Sequence, residues 1–247
     1  MNRSRAIADM YPVTPTQEGM LFHTLLVPDS GVYVQQVSAS VRGVVDASVF
    51  ERVWQALVDR HPVLRTSFVS DGRRPPFQVV HRAARLPWTY EDWCGVPAAA
   101  QQARLAQWLR DDRRRGFAVD RPPLMRVALL RLADDRSQVI WTHHHLLLDG
   151  WSVPLVLAEL VALYDAFAAG SVPSLPAPRP FRDFVAWQRA RADGGESERF
   201  WREQLQGVAG PTPLPSSALS SGTPSPATTT GDAPAMASAA KRLSAAA

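Results

Sequence analysis

Cysteine is nearly absent from this chain of 247 residues: Cys94 is the only one, which excludes an intrachain disulfide and fits a reducing cytoplasm. Lysine is as scarce, with Lys241 alone, so the positive charge rests on arginines scattered among acids and nets only +4. The run Arg113-Arg114-Arg115 follows Asp111-Asp112 at an expected helix end, where cations meet the dipole favourably. No basic stripe with a recognisable motif accompanies it, so no nucleic-acid partner is expected. Long apolar runs are missing too. The longest, Val153 to Ala162, carries Glu159 and is too short to span a bilayer. Met1 to Tyr11 has charge but no apolar core of a signal peptide. The expectation is a soluble cytoplasmic protein with no membrane partner.

What is present is a patterned globular segment followed by a different composition. Thr14 to Leu26 reads as a helix with Thr14 or Thr16 as its cap and Gln17-Glu18 in its first turn. Val32 to Val41 reads as a strand. Asp46 to Arg60 repeats Val49, Phe50, Val53, Trp54, Leu57 and Val58 at helical spacing and stops before Pro62. Strands are expected at Leu64 to Val69, Phe77 to His81 and Leu86 to Glu91, with a turn at Asp71-Gly72, then a helix from Ala98 to Arg114. Leu124 to Leu132 and Ser137 to His145 form a hairpin around Asp134-Asp135-Arg136. Ser152 is the expected cap of an apolar helix, Val153 to Ala169, that ends at Gly170. Two short helices follow, Arg182 to Ala192 and Glu196 to Gln206. This order predicts an α/β domain over residues 7–206, a mixed sheet with helices on one face. From Gly207 the chain is rich in Pro, Ser, Ala and Thr, and 207–247 is expected to be a disordered tail.

The most informative stretch is His144-His145-Leu146-Leu147-Leu148-Asp149-Gly150, followed by Trp151-Ser152. Strand alternation before it puts Trp141, His143 and His145 on one face and Ile140, Thr142 and His144 on the other. Adjacent histidines therefore serve different purposes. Only His143 and His145 share a face and no H-E-x-x-H pattern occurs, so a metal centre is not expected. His143 and His144 read as hydrogen-bonded packing residues. Ser152 has no base placed for it by spacing, and Cys94 has no basic neighbour to activate it.

The stretch resembles the HHxxxDG signature of chloramphenicol acetyltransferase, of the condensation domains of nonribosomal peptide synthetases and of related acyltransferases. Three further segments match condensation domains in order: Tyr11 to His23 (YPVTPTQEGMLFH), Arg60 to Phe68 (RHPVLRTSF) and Phe181 to Trp187 (FRDFVAW). The resemblance covers roughly Ile7 to Gln206. The wording of the opening segment and of the histidine loop is similar to the subgroup joining a D-configured donor to an L-configured acceptor.

The resemblance implies a chloramphenicol-acetyltransferase-like two-layer sandwich and a site made of His144, His145, Asp149 and Gly150. His145 acts on the amine that attacks a thioester. Asp149 is structural and held by an arginine, for which Arg65 is the best candidate in this chain. Gly150 lets backbone lie near the reacting carbonyl. No cofactor is bound; substrates arrive on the phosphopantetheine arms of aminoacyl and peptidyl carrier proteins. A complete condensation domain has two such lobes facing each other. This sequence matches the N-terminal one, so a complementary C-terminal lobe is an expected partner. Two alternatives remain: a stand-alone acyltransferase that trimerises, and a non-catalytic remnant that binds carrier proteins.

Overall fold

The computed structural model describes residues 6–28, 30–70, 72, 75–171, 173–192, 195–208 and 210. Apart from Gly207, Val208 and Gly210, the expected tail lies outside the described residues, as does Asp71 of the expected turn.

The chain folds as β1 (Ile7–Pro12), α1 (Pro15–Leu26), β2 (Val34–Arg42), α2 (Ala47–Arg60), a 3-10 turn (Pro62–Arg65), β3 (Thr66–Val69), β4 (Phe77–His81), β5 (Trp88–Asp92), α3 (Ala98–Arg115), β6 (Met125–Ala133), β7 (Arg136–His144), α4 (Ser152–Ala168), α5 (Phe181–Ala192) and α6 (Glu196–Gln204). Local chemistry sets the helix starts. Thr14 and Gln17 form a reciprocal capping box for α1. The Asp46 carboxylate accepts the Ser48 and Val49 N–H groups at the head of α2. The stripe of α2 is fully used: Phe50, Val53, Trp54, Leu57 and Val58 are all buried. Each such side chain contributes roughly 1.5–3 kcal/mol on leaving water.

The strands divide between two sheets. One is mixed, in the order β2-β7-β6-β5, with β5 parallel to β6 and the rest antiparallel. The other is antiparallel, in the order β1-β4-β3. Met125, Val127, Leu129, Val139 and Trp141 project from one face of the mixed sheet into the main core with α2 and α4. On the opposite face Ala128, Leu130 and Ile140 meet Leu105, Trp108 and Leu109 of α3. The expected sandwich is present, and α3 adds cover to the second face. The central strands β6 and β7 are apolar on both sides, and such strands need both faces covered.

Three local differences stand out. β1 was not expected, because its residues are largely exposed and alternate weakly. It exists by pairing with β4. Leu64 and Arg65 lie in the 3-10 turn that Pro62 begins, so β3 starts at Thr66. β7 ends at His144, which leaves His145 to open the following turn.

Candidate active site

The histidine turn sits where β7 leaves the mixed sheet, between β2 and β6. His144 is the last residue of the ladder, opposite Val34, and its N–H donates to the Leu124 carbonyl (2.9 Å). The His145 N–H makes one more bond, to the carbonyl of Tyr33 (2.8 Å). Tyr33 holds φ 61°, a left-handed conformation that costs a residue with a side chain about 1–3 kcal/mol. That cost is offset where the carbonyl anchors the turn.

The two adjacent rings are locked in opposite tautomers. The Leu146 N–H donates to His144 Nδ1 (3.1 Å), so that nitrogen carries a lone pair. Its Nε2 then bears the proton and donates to Thr24 Oγ1 (3.2 Å), whose hydroxyl passes on to the Met20 carbonyl (2.8 Å). His145 is reversed. Its Nδ1 lies 2.7 Å from the Leu148 carbonyl, which can only accept, so Nδ1 is protonated and the neutral ring keeps its lone pair on Nε2. His145 is partly exposed and His144 is buried. Burial, then the neighbouring His145, pushes the His144 ring down to about 4, so it is neutral near pH 7.

A cleft of about 700 Å³ opens on the His144 side, walled by Leu21 and Thr24 of α1, Phe68 of β3, and Phe117 and Val119 of the loop after α3. His145 does not line it. The ring of Phe117 meets that of His144 edge-on with centroids 6.4 Å apart.

His143 departs from the expectation of a hydrogen-bonded packing residue. Its ring is fully buried against Trp141, with centroids 4.6 Å apart, and neither nitrogen has a hydrogen-bond partner among the described residues. Burial, and then the two neighbouring histidines, push it down to about 4.

Asp149 and Arg65 do not meet, which corrects the expected charge pair. Asp149 is exposed, and its Oδ1 accepts the Ser152 N–H (2.8 Å) and hydroxyl (2.7 Å). These bonds, the Ser152 hydroxyl foremost, hold its carboxyl below the usual range. The N-cap of α4 is Trp151, which makes no side-chain cap bond; Asp149, two residues before it, takes the first helical N–H, and Ser152, expected as the cap, is the first helical residue and donates to it. Arg65 instead donates to the carbonyls of His81 (2.8 Å), Val58 (3.0 Å) and Asp59. The last two belong to the end of α2, whose orphan carbonyls need donors. A long cation placed just after Pro62 finds them first. At Gly150 a Cβ would meet nothing within 4 Å, so nothing in this lobe demands a glycine there.

The preceding residues of the same segment join two core helices. Arg60 Nε (2.9 Å) and His61 Nε2 (2.7 Å) both reach Glu159 Oε2 and tie the end of α2 to α4. Burial works to raise the Glu159 carboxyl, and the bonds from Arg60 and His61 overcome it and hold it low. Under α3, Asp112 accepts from Arg126, Thr142 and Gln36 (2.9 Å to the last) and fastens the helix to β6, β7 and β2. Arg126 also donates to the Gly116 carbonyl (2.8 Å) and lies over the Phe117 ring, which fixes the cleft's loop.

Three contributors were not picked out from sequence: Gln17, whose Nε2 donates to the Leu146 carbonyl (3.1 Å), Thr24 and Tyr33. Gln17 alone left a signal, as the third residue after a capping threonine. Among the described residues no group of three or more His, Cys, Asp or Glu side chains converges as a metal site, and no helix is long and apolar enough to cross a membrane.

With the fold and the histidine turn described, comparison with known proteins gives the family of this lobe. The condensation-domain family model matches residues 7–241, and the chain belongs to that family. It is 46% identical to one of the linear gramicidin synthase proteins of Brevibacillus parabrevis over 212 residues, 86% of this chain and 3% of that protein. It is 38% identical to a chondramide synthase of Chondromyces crocatus over 248 residues, covering 84% of this chain and 6% of that one. Among solved structures, the starter condensation domain of rhizomide synthetase matches with a TM-score of 0.74 at 22% identity, over 85% of this chain and 51% of that one. The first condensation domain of the calcium-dependent antibiotic synthetase, solved with a substrate analogue, gives 0.75 at 21%, over 84% and 51%. The chain thus spans about half of each solved domain and a few per cent of the curated synthetases.

Proposed function

We propose that this chain is the histidine-bearing lobe of a condensation domain that forms amide bonds between aminoacyl or peptidyl thioesters in nonribosomal peptide synthesis. Carrier proteins deliver both substrates on phosphopantetheine arms. The acceptor amine nitrogen attacks the donor thioester carbon, His145 Nε2 takes the amine proton, the C–S bond breaks, and the thiolate leaves to be protonated. One observation carries the reading: His145 is partly exposed, and the bond from its Nδ1 to the Leu148 carbonyl puts the lone pair of the neutral ring on Nε2, the nitrogen a base would use. Asp149 contributes by accepting the first N–H of α4 where the turn ends, and His144 by holding the turn to α1. Donor and acceptor tethering supplies much of the encounter through effective concentrations of about millimolar order.

A reaction between two tethered arms needs two walls to hold them and exclude water. The 247-residue chain is therefore assayed with donor- and acceptor-loaded carrier proteins, alone and mixed with a polypeptide supplying the other half of a condensation domain, with product read by mass spectrometry. Amide is expected only from the mixture, and His145→Ala lowers the rate by about 10²–10⁴-fold. Full activity from a monodisperse monomer would show that one lobe suffices. Activity confined to a trimer would replace this reading with the acetyltransferase-like arrangement.

A further inference from the structure

Gln17 is a polar side chain only 6% exposed, and both ends of its carboxamide are engaged. Its Oε1 accepts the Thr14 N–H (3.0 Å) and an N–H of Gln78 (3.1 Å). Its Nε2 donates to the carbonyl of Leu146 (3.1 Å), 129 positions further along the chain. Two donors converge on one end and a carbonyl faces the other, so only one orientation of the amide satisfies all three. Gln78, itself fully buried, donates to the Pro12 carbonyl (3.1 Å) and is held in turn.

We propose that Gln17 is a positioning residue for His145, acting through the Leu146 peptide; this rests on the role given to His145 above. The turn from His145 to Leu148 belongs to no helix or sheet, so its shape depends on where each polar backbone group finds a partner. The N–H of His145 goes to Tyr33, that of Leu146 to the His144 ring, and that of Leu147 to the His144 carbonyl (3.0 Å). The Leu148 carbonyl takes the His145 ring. The Leu146 carbonyl has Gln17 and no other partner among the described residues. Leu146, Leu147 and Leu148 are 2%, 5% and 6% exposed, so water does not reach the turn freely in place of Gln17. Without that donor the Leu146 peptide must rotate to find another, because a buried unpaired carbonyl is costly. Rotation there displaces the Leu148 carbonyl two residues on, and with it the bond that fixes the His145 tautomer.

Gln17→Glu separates this role from helix capping. The carboxylate still accepts from Thr14 and Gln78, but it cannot donate to Leu146 and repels its oxygen. Gln17→Ala removes every contact. Both variants and the wild type are made as the full 247-residue chain, and the imidazole nitrogens of His145 are followed by proton–nitrogen NMR with thermal melts as a fold control. The wild type is expected to show well-separated pyrrole-like and pyridine-like signals for Nδ1 and Nε2. In both variants that separation collapses toward the average of interconverting tautomers, and both melt below the wild type, since one buries a charge and the other loses the side-chain bonds, while each keeps a cooperative transition. A folded Gln17→Glu chain whose His145 signals remain as separate as in the wild type overturns the proposal. Should neither variant fold, the wild type decides. An Overhauser contact from the Gln17 carboxamide protons to the Leu147 amide, with slowed exchange of those protons, supports it, and absence of both overturns it. A chain that forms no amide in the assay above leaves these spectra unaltered, so the two failures are read separately.

Discussion

The residues of the histidine loop differ in what holds them, and each restraint has its own consequence. Asp149 takes the first N–H of α4 at the surface, so Asp149→Ala should cost about 1 kcal/mol, as loss of an exposed cap does, and not the 3–5 kcal/mol of an orphaned buried charge. Arg65→Ala frees carbonyls at the end of α2 and should cost about 1–3 kcal/mol. Since the two side chains share no partner, the double variant should be additive within about 0.5 kcal/mol in urea denaturation. A larger coupling would restore the charge pair that the geometry denies. His143 and His144 make a second prediction. Both are pushed down to about 4 in the folded chain, from 6.5 when unfolded, so between these values the unfolded state binds more protons. Stability is therefore full above pH 6.5 and is lost as pH falls toward 4, by up to about 1.4 kcal/mol per pH unit for each histidine. Urea midpoints measured from pH 7 to pH 4.5 check the slope, and His143→Phe should roughly halve it. A midpoint that does not move across that window would mean that the rings are charged or solvated.

Among the elements, α3 is held by a buried charge pair as well as by its apolar face. Asp112 and Arg126 have side chains 4% and 7% exposed, and burial opposes both charges. Bonds from Arg126 and Thr142 nonetheless hold Asp112 below the usual carboxylate range. Arg126→Ala leaves that carboxylate buried without its main partner and should cost about 3–5 kcal/mol. Replacing both, as Asp112→Leu with Arg126→Met, should cost less than the single change, because apolar pairs of similar volume pack without desolvating a charge. Thermal melts of the three variants give the comparison; a double variant worse than Arg126→Ala would show that the network outweighs its desolvation. The helix itself was legible from Ala98 to Arg114. Its place was not, because a periodic stripe says that a face is buried and not against which side of a sheet.

For the whole molecule, the surface left by one lobe is the feature with consequences. Phe22, Leu25 and Leu26 line one face of α1 at 60%, 49% and 61% exposure, and Trp151 and Leu155 stand out at the head of α4 at 87% and 70%. Apolar surface of this kind, exposed on a chain spanning about half of its solved relatives, favours association. Sedimentation of the 247-residue chain should show concentration-dependent self-association that Phe22→Ser with Leu26→Ser reduces. A monomer at all concentrations would mean that these faces tolerate water as they stand.

Much of this lobe was written locally. The periodicity of α2, the apolar run of α4, the β6–β7 hairpin and the capping threonine of α1 are settled by residues within a few positions of each other, and local order in sequence determines them. The histidine loop was equally legible, as a fixed pattern at a strand end. Other features depended on which segments come together. β1 is a strand only because β4 pairs with it, and the sequence of either is a weak signal alone. Arg65 turned to the carbonyls of α2 and Asp149 to the N–H of Ser152, since the nearest unsatisfied backbone group competes with a distant charge, and the nearer partner won. The bond from His144 to Thr24 and the reach of Gln17 to Leu146 depend on ångström-scale distances between residues more than a hundred positions apart. Periodicity carries no record of such distances; packing alone sets them.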